Sequence, residues 1–304
     1  MLPNSNTTQR QDIEFTSEGV ICRGWLTYPA SEKRPAPLVI LGHGFGGTRE
    51  MRLELFASRF NTAGFATLIF DYRHFGASEG EPRNCLIPQR EVADWHAALA
   101  FARQLPDIDT ARIALWGTSF GGGLVITVAA QDGNVAATVS QCPMLDGVAS
   151  AVEILRYAGP LSFLRLSLHG VADLARDVAG LSPHYIPCVA SPGEVGAMTS
   201  ADAMSGYLRM TTPGYRNEVT ARSGLLVPTF RPIRDAARVK CPALLQICEQ
   251  DSVAPAAATE KAARKMRKAE VIRYPIGHFD IYFDEWFERS VSDQTAFLVR
   301  HLHP

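Results

Sequence analysis

The sequence predicts an α/β fold: a mostly parallel sheet of eight strands, helices on both faces, and a helical lid inserted in its second half. Three observations carry this expectation. Short apolar runs such as Leu38-Val39-Ile40-Leu41, Ala66 to Phe70 and Ala243 to Cys248 are continuous rather than alternating, as strands buried on both faces of a parallel sheet are. Stretches of helical spacing alternate with these runs, the pattern of crossovers between parallel strands. Between one strand and one helix stands a tight pentad, Gly117-Thr118-Ser119-Phe120-Gly121.

In chain order, Asp12 to Tyr28 reads as a strand pair turning at Glu18-Gly19, an antiparallel opening. Pro29 to Pro37 is a loop, Leu38 to Leu41 a buried strand, and Gly42-His43-Gly44-Phe45-Gly46-Gly47 the turn after it. Glu50 to Ala63 has helical spacing and stops at Gly64; Ala66 to Phe70 is a strand, with Asp71 to Gly76 as its loop. Pro88 to Leu105 reads as an amphipathic helix that ends before Pro106. Arg112 to Trp116 is the strand before Ser119, Phe120 to Ala130 the helix after it, and Val135 to Gln141 a further strand. From Met144 to Lys240 the alternation breaks into helical patches, Ala149 to Tyr157 and Leu164 to Val178, among Pro- and Gly-bearing loops. Regularity returns with the strand Ala243 to Cys248, a helix from Pro255 to Lys268, a strand Glu270 to Tyr274 and a closing helix Glu285 to Leu302. The expected division is therefore a core of residues 1–143 and 241–304 with a lid at 144–240.

Composition narrows the function. The chain of 304 residues balances Lys+Arg 30 against Asp+Glu 31, so nothing in its charge favours nucleic acid or an anionic membrane. No apolar run reaches the roughly 18 residues of a membrane span, and the stretch from Met1 to Arg10 lacks an apolar leader, so a cytoplasmic location is expected. The six cysteines are scattered, without a Cys-x-x-Cys pair, and Cys142 and Cys248 read as small core residues. No metal or organic cofactor is expected. A homodimer through the lid or an edge strand is compatible with the sequence, which does not choose between them.

Ligands in open parallel sheets bind beyond the carboxyl ends of the strands. The loops there hold Ser119, the acidic run Glu249-Gln250-Asp251, and Pro275-Ile276-Gly277-His278. A serine hydroxyl becomes a nucleophile when an imidazole takes its proton, and the imidazole needs a carboxylate to fix its tautomer. Ser119, Asp251 and His278 supply these three groups in the order nucleophile, acid, base.

The pentad, the His-Gly loop and this order resemble the α/β-hydrolase superfamily over nearly the whole chain outside the insertion. The wording of Gly42 to Gly47, Phe70 to Ser78 and Trp116 to Gly122 is similar to the dienelactone-hydrolase and X-Pro-dipeptidyl-peptidase-like branch, and to fungal polyketide transferases and thiohydrolases. The resemblance implies the α/β-hydrolase fold, an acyl-enzyme on Ser119, His278 as base, Asp251 as its partner, and an oxyanion hole from the backbone N–H groups of Phe45 and Phe120. A small to medium, largely neutral ester or thioester is the expected substrate. Acyl transfer, X-Pro-type peptide cleavage and silent binding on the same fold are the alternatives.

Each assignment has a structural rival. Ser119 would also suit a helix N-cap, Asp251 a cap of the next helix, His278 a core position, and Asp146 competes as the acid. His43 is expected to pack its loop, and Asp71, Arg73 and His74 to form an ion-pair and hydrogen-bond cluster, with Arg73 reaching a substrate carboxylate as the rival. His169, His184, His301 and His303 carry no chemical context, while Tyr157, Tyr185, Tyr207, Tyr215 and Phe163 are expected to pack the lid.

Overall fold

A computed structural model describes residues 10–31 and 34–304. Residues 1–9, where a leader was sought, and two positions of the Pro29 to Pro37 loop lie outside the described residues. Strands β1 (Arg10–Ser17) and β2 (Val20–Thr27) form a hairpin, followed by β3 (Ala36–Gly42), α1 (Leu53–Thr62), β4 (Ala66–Phe70) and α2 (Pro88–Ala102). Next come β5 (Ile108–Thr118), α3 (Phe120–Asp132), β6 (Ala137–Gln141) and the long α4 (Gly147–Val178). The insertion continues with β7 (Tyr185–Ile186), α5 (Ala203–Leu208), β8 (Val219–Thr220) and α6 (Ser223–Leu226). The chain closes with β9 (Ala243–Cys248), α7 (Ala256–Ala263), β10 (Ala269–Tyr274) and α8 (Asp284–Leu302).

The main sheet has eight strands in the order β1-β2-β4-β3-β5-β6-β9-β10. Only β2 runs against its neighbours β1 and β4; the other pairings are parallel. Every residue of β3, β4, β6 and β9 is buried, which is why β3, β4 and β9 are largely apolar without alternation, while β6 buries Thr138, Ser140 and Gln141 as well. From β3 the chain steps to β4 on one side and then returns to β5 on the other, so strand order reverses between β3 and β5. A crevice opens beyond the carboxyl ends of such a pair. The His-Gly loop and Ser119 both begin there.

Three features refine the expected pattern. The two lid patches are both helical, and they meet end to end as the two rods of α4 where Gly159 leaves helical geometry (φ 80, ψ 166) ahead of Pro160. Pro160 lacks the N–H that a helix interior needs but serves well as a first helical residue, so the kink starts a second rod. The insertion also holds a two-stranded ladder, Tyr185↔Thr220 and Ile186↔Val219, which is too short to leave a periodic signal. Strand β5 extends beyond the expected Arg112 to Trp116 at both ends, because neighbouring β3 continues the pairing from Ala36 to Gly42.

A buried polar chain ties α8 to the sheet. Gln294 accepts from Trp116 Nε1 at 2.9 Å and donates to Gln141 Oε1 at 2.8 Å and Gln246 Oε1 at 2.6 Å. Gln246 in turn donates to the Tyr274 hydroxyl at 2.7 Å and the Ser290 carbonyl at 2.9 Å. Gln294, Gln246 and Gln141 have no exposed surface, so a lost partner is not replaced by water. Gln294→Leu strands one donor and two acceptors at a cost of about 1–3 kcal/mol each. A fall in Tm of at least about 6 °C is expected in thermal unfolding.

Candidate active site

Ser119 sits at the tip of the β5–α3 turn with φ 55 and ψ −120, a conformation that a side-chain-bearing residue adopts only under constraint. The glycines provide that constraint. A Cβ on Gly117 would collide with the Gly121 carbonyl, and one on Gly121 would collide with the carbonyl of His43. Strand, helix and His-Gly loop are thereby in backbone contact, at the expense of roughly 1 kcal/mol of helix propensity at Gly121. Ser119 N–H donates to the Gln141 carbonyl at 2.8 Å, and Ser119 C=O accepts from Met144 N–H at 2.9 Å, so β6 holds the turn from the other side.

The three separated residues meet. Ser119 Oγ lies 3.0 Å from His278 Nε2, and His278 Nδ1 lies 2.6 Å from Asp251 Oδ2. An ionised carboxylate only accepts, so in the neutral imidazole the proton resides on Nδ1 and leaves Nε2 to accept from the serine. Asp251 Oδ1 accepts from the N–H groups of Val253 at 2.8 Å and Ala254 at 2.6 Å. Asp251 therefore fastens its own loop through one oxygen and faces the imidazole through the other; it does not cap the next helix, whose N-cap position is Pro255. Burial disfavours a charged His278, but the Asp251 carboxylate outweighs it and lifts the imidazole from 6.5 to about 9.

Asp146 is turned elsewhere. Its carboxylate pairs with Arg231 at 2.8 Å through both oxygens and caps α4 by accepting from Val148 N–H at 3.1 Å. Burial pushes against its charge, yet the Arg231 pair holds it below the usual carboxylate range. His43 packs its loop: Nδ1–H donates to the Gly44 carbonyl at 2.9 Å, the ring lies against Tyr72, and burial lowers it to about 4, so it stays neutral. Arg73 is committed to Asp94 at 2.7 Å and to Glu18 at 2.7 Å, which removes it from substrate recognition. Asp71 faces Arg49 rather than Arg73. His169 and His184, expected to be without context, contact each other at 2.7 Å. Cys142 and Cys248 are buried, with Cys142 Sγ 3.6 Å from the Tyr282 hydroxyl.

The insertion reaches the site through residues whose spacing gave no warning. Tyr207 donates to the Phe45 carbonyl at 2.9 Å and Tyr215 to the Gly46 carbonyl at 2.9 Å, with 2.9 Å between the hydroxyls. Burial pushes both phenols up, so they remain donors. Packing residues by sequence, they anchor the His-Gly loop. Ser252, next to Asp251, donates to Asp202 of the insertion at 2.7 Å.

The Phe120 N–H is the first of α3 and has no partner within its helix. Phe45 and Phe120 line, with Ser119, an apolar cavity of about 70 Å³ closed by Ile154, Tyr157 and Leu166 of α4. An alcohol, an imidazole and a carboxylate in series beside an apolar cavity are equipped for acyl chemistry.

Comparison with known proteins bears out the fold. The Alpha/beta hydrolase family model matches residues 38–290. The chain belongs to this family. The chain is 42% identical over 291 residues to the quorum-quenching protein AidA of Acinetobacter baumannii (strain MDR-ZJ06), covering 95% of this chain and 94% of that one. It is 30% identical to a thiohydrolase of Eupenicillium brefeldianum over 84% of this chain and 82% of the relative. The crystal structure of alpha/beta hydrolase GrgF from Penicillium sp. sh18 superposes with a TM-score of 0.83 at 27% identity, covering 97% of this chain and all of the other.

The raised imidazole is directly measurable. By NMR, His278 of the native chain should titrate above 6.5, toward about 9, and Asp251→Asn should bring it down, because burial is then opposed only by the weaker influence of Cys142 and Asp202. The folded state holds this proton more tightly than the unfolded chain, so the group stabilises the fold below about pH 6.5. That contribution is lost as pH rises through about 9.

Proposed function

We propose that this hydrolase cleaves an ester or thioester of a small to medium, largely neutral molecule through an acyl-enzyme on Ser119. The observation that carries the reading is the unbroken series Ser119–His278–Asp251 at 3.0 and 2.6 Å. Ser119 Oγ attacks the acyl carbonyl while its proton passes to His278 Nε2. The same proton goes to the leaving alcohol or thiol as the carbonyl–leaving-group bond breaks. A water molecule then gives a proton to Nε2 and attacks the acyl carbon, and that proton returns to Ser119 as the acid departs. Asp251 balances the charge of the imidazolium. The N–H groups of Phe45 and Phe120 receive the oxyanion, with Tyr207 and Tyr215 steadying the first of them from behind.

The site's size and lining support the substrate class. A cavity of about 70 Å³ is well below the roughly 300–1,000 Å³ of ordinary ligand sites, so a substrate enters with some displacement of α4. Its apolar lining favours an uncharged acyl group. Names of relatives point the same way, one a thiohydrolase and another, from Penicillium sp, a polyketide transferase.

Acyl transfer is the second reading, favoured by one observation: Ser119 is 8% and His278 2% exposed. Little water reaches an acyl-enzyme placed there, so an alcohol or amine seated beside it would compete for the acyl group. Turnover in the presence of such an acceptor, with products resolved by mass, distinguishes transfer from hydrolysis.

Hydrolysis of short p-nitrophenyl esters should fall by on the order of 10⁴-fold or more in Ser119→Ala. Turnover by that variant equal to the native protein's would remove Ser119 from the mechanism. In the native protein kcat/KM should rise with pH along a limb set by His278, since only the neutral imidazole accepts the proton. Tyr207→Phe should lower kcat roughly tenfold with little change in KM, as the Phe45 peptide loses its anchor.

A further inference from the structure

The second rod of α4 carries two separate stripes. One faces its own chain: Leu166, Gly170 and Asp173 are buried, Gly170 is in close contact with Leu225, and Asp173 makes a two-point pair with Arg222 at 2.6 and 3.2 Å. The other faces solvent. Leu161, Leu164, Leu168, Val171 and Val178 are 59%, 54%, 58%, 55% and 90% exposed, with exposed Ala175 completing the row. Successive members are three, four, three, four and three residues apart. That is the period of a seam between two helices, and the stripe already used by the monomer is a different one.

We propose that this stripe is the interface of a symmetric dimer, in which the second rod of α4 pairs antiparallel with the same rod of a second copy. A two-fold axis between Leu168 and Val171 stacks Leu161 on Val178, Leu164 on Ala175 and Leu168 on Val171, each layer occurring twice. Every larger side chain then meets a smaller one, and no member of the row is left over. Charge is compatible: about that axis Arg165 falls at the level of the partner copy's position 174 and Arg176 at the level of its position 163, so no arginine is set against another.

Charge also argues against a lipid surface. Membrane-lying helices carry Lys and Arg on the rim of their apolar face. Residues 147–178 instead balance Arg156, Arg165 and Arg176 with Glu153, Asp173 and Asp177. The rod from Pro160 to Val178 is roughly 28 Å long and, at about 10 Å wide, offers a footprint of roughly 280 Å² per copy. This is below the roughly 800 Å² per partner of a standard stable interface, so the dimer is expected to dissociate in the micromolar range.

Sedimentation equilibrium of the full chain from about 1 to about 100 µM tests the proposal. The mass should climb from one chain toward two, while Leu164→Glu/Leu168→Glu stays at one chain with an unchanged melting temperature, since both positions face solvent. Under mild oxidation, a chain carrying Leu164→Cys together with Ala175→Cys should form a covalent dimer on a non-reducing gel, and Leu164→Cys alone should not. The cysteine pair decides the matter should the glutamate variant misfold. A one-chain mass throughout, or a dimer that survives the double glutamate change, overturns the proposal. Efficient crosslinking by Leu164→Cys alone overturns the antiparallel arrangement. Binding of a monomer to phosphatidylcholine vesicles that the glutamate variant loses would assign the stripe to lipid instead.

Discussion

The backbone of Ser119 is held out of the common regions of conformational space by the contact of three main chains: the end of β5, the first turn of α3 and the carbonyls of the His-Gly loop. The rest of the site depends on that contact. If α3 stood farther from β3, the serine would relax toward an ordinary helix N-cap and its hydroxyl would turn to the helix rather than to His278. Glycine at 117 and 121 is the means, because any Cβ there would meet a carbonyl. The run Gly121-Gly122-Gly123 is costly as helix sequence and sensible as packing.

The insertion takes part in the site as well as covering it. Tyr207 and Tyr215 fasten the carbonyls of Phe45 and Gly46, and Asp202 accepts from the serine that follows Asp251. One segment therefore touches both the loop that would receive an oxyanion and the loop that supplies the carboxylate. Movement of that segment would disturb both loops together. It would also change the walls given to the cavity by α4, whose outer face carries the apolar row discussed above.

Beneath the sheet's carboxyl end, polar side chains replace part of an apolar core. Trp116, Gln141, Gln246, Tyr274 and Gln294 form a closed hydrogen-bonded chain linking β5, β6, β9, β10 and α8. Such a chain is tolerable only when every member is satisfied, so it fixes the register of α8 more sharply than interchangeable aliphatic contacts would.

The sequence by itself determined the strand and helix order, since continuous apolar runs and helical spacing are local signals. It also named Ser119, Asp251 and His278, because each follows a recognisable strand end. Other features had no local signal. That the two helices of α4 abut end to end depends on Gly159 and Pro160 acting together, and a proline in a helical pattern does not say how near the next helix begins. What occupies the competing Asp146 came only with the fold: both carboxylates follow a strand, but Arg231, 85 residues from Asp146, claims that one. Tyr207 and Tyr215 looked like packing because their partners are backbone carbonyls some 160 residues away. Tertiary structure decided these points for a physical reason: a hydrogen bond between distant segments leaves no periodicity in either one.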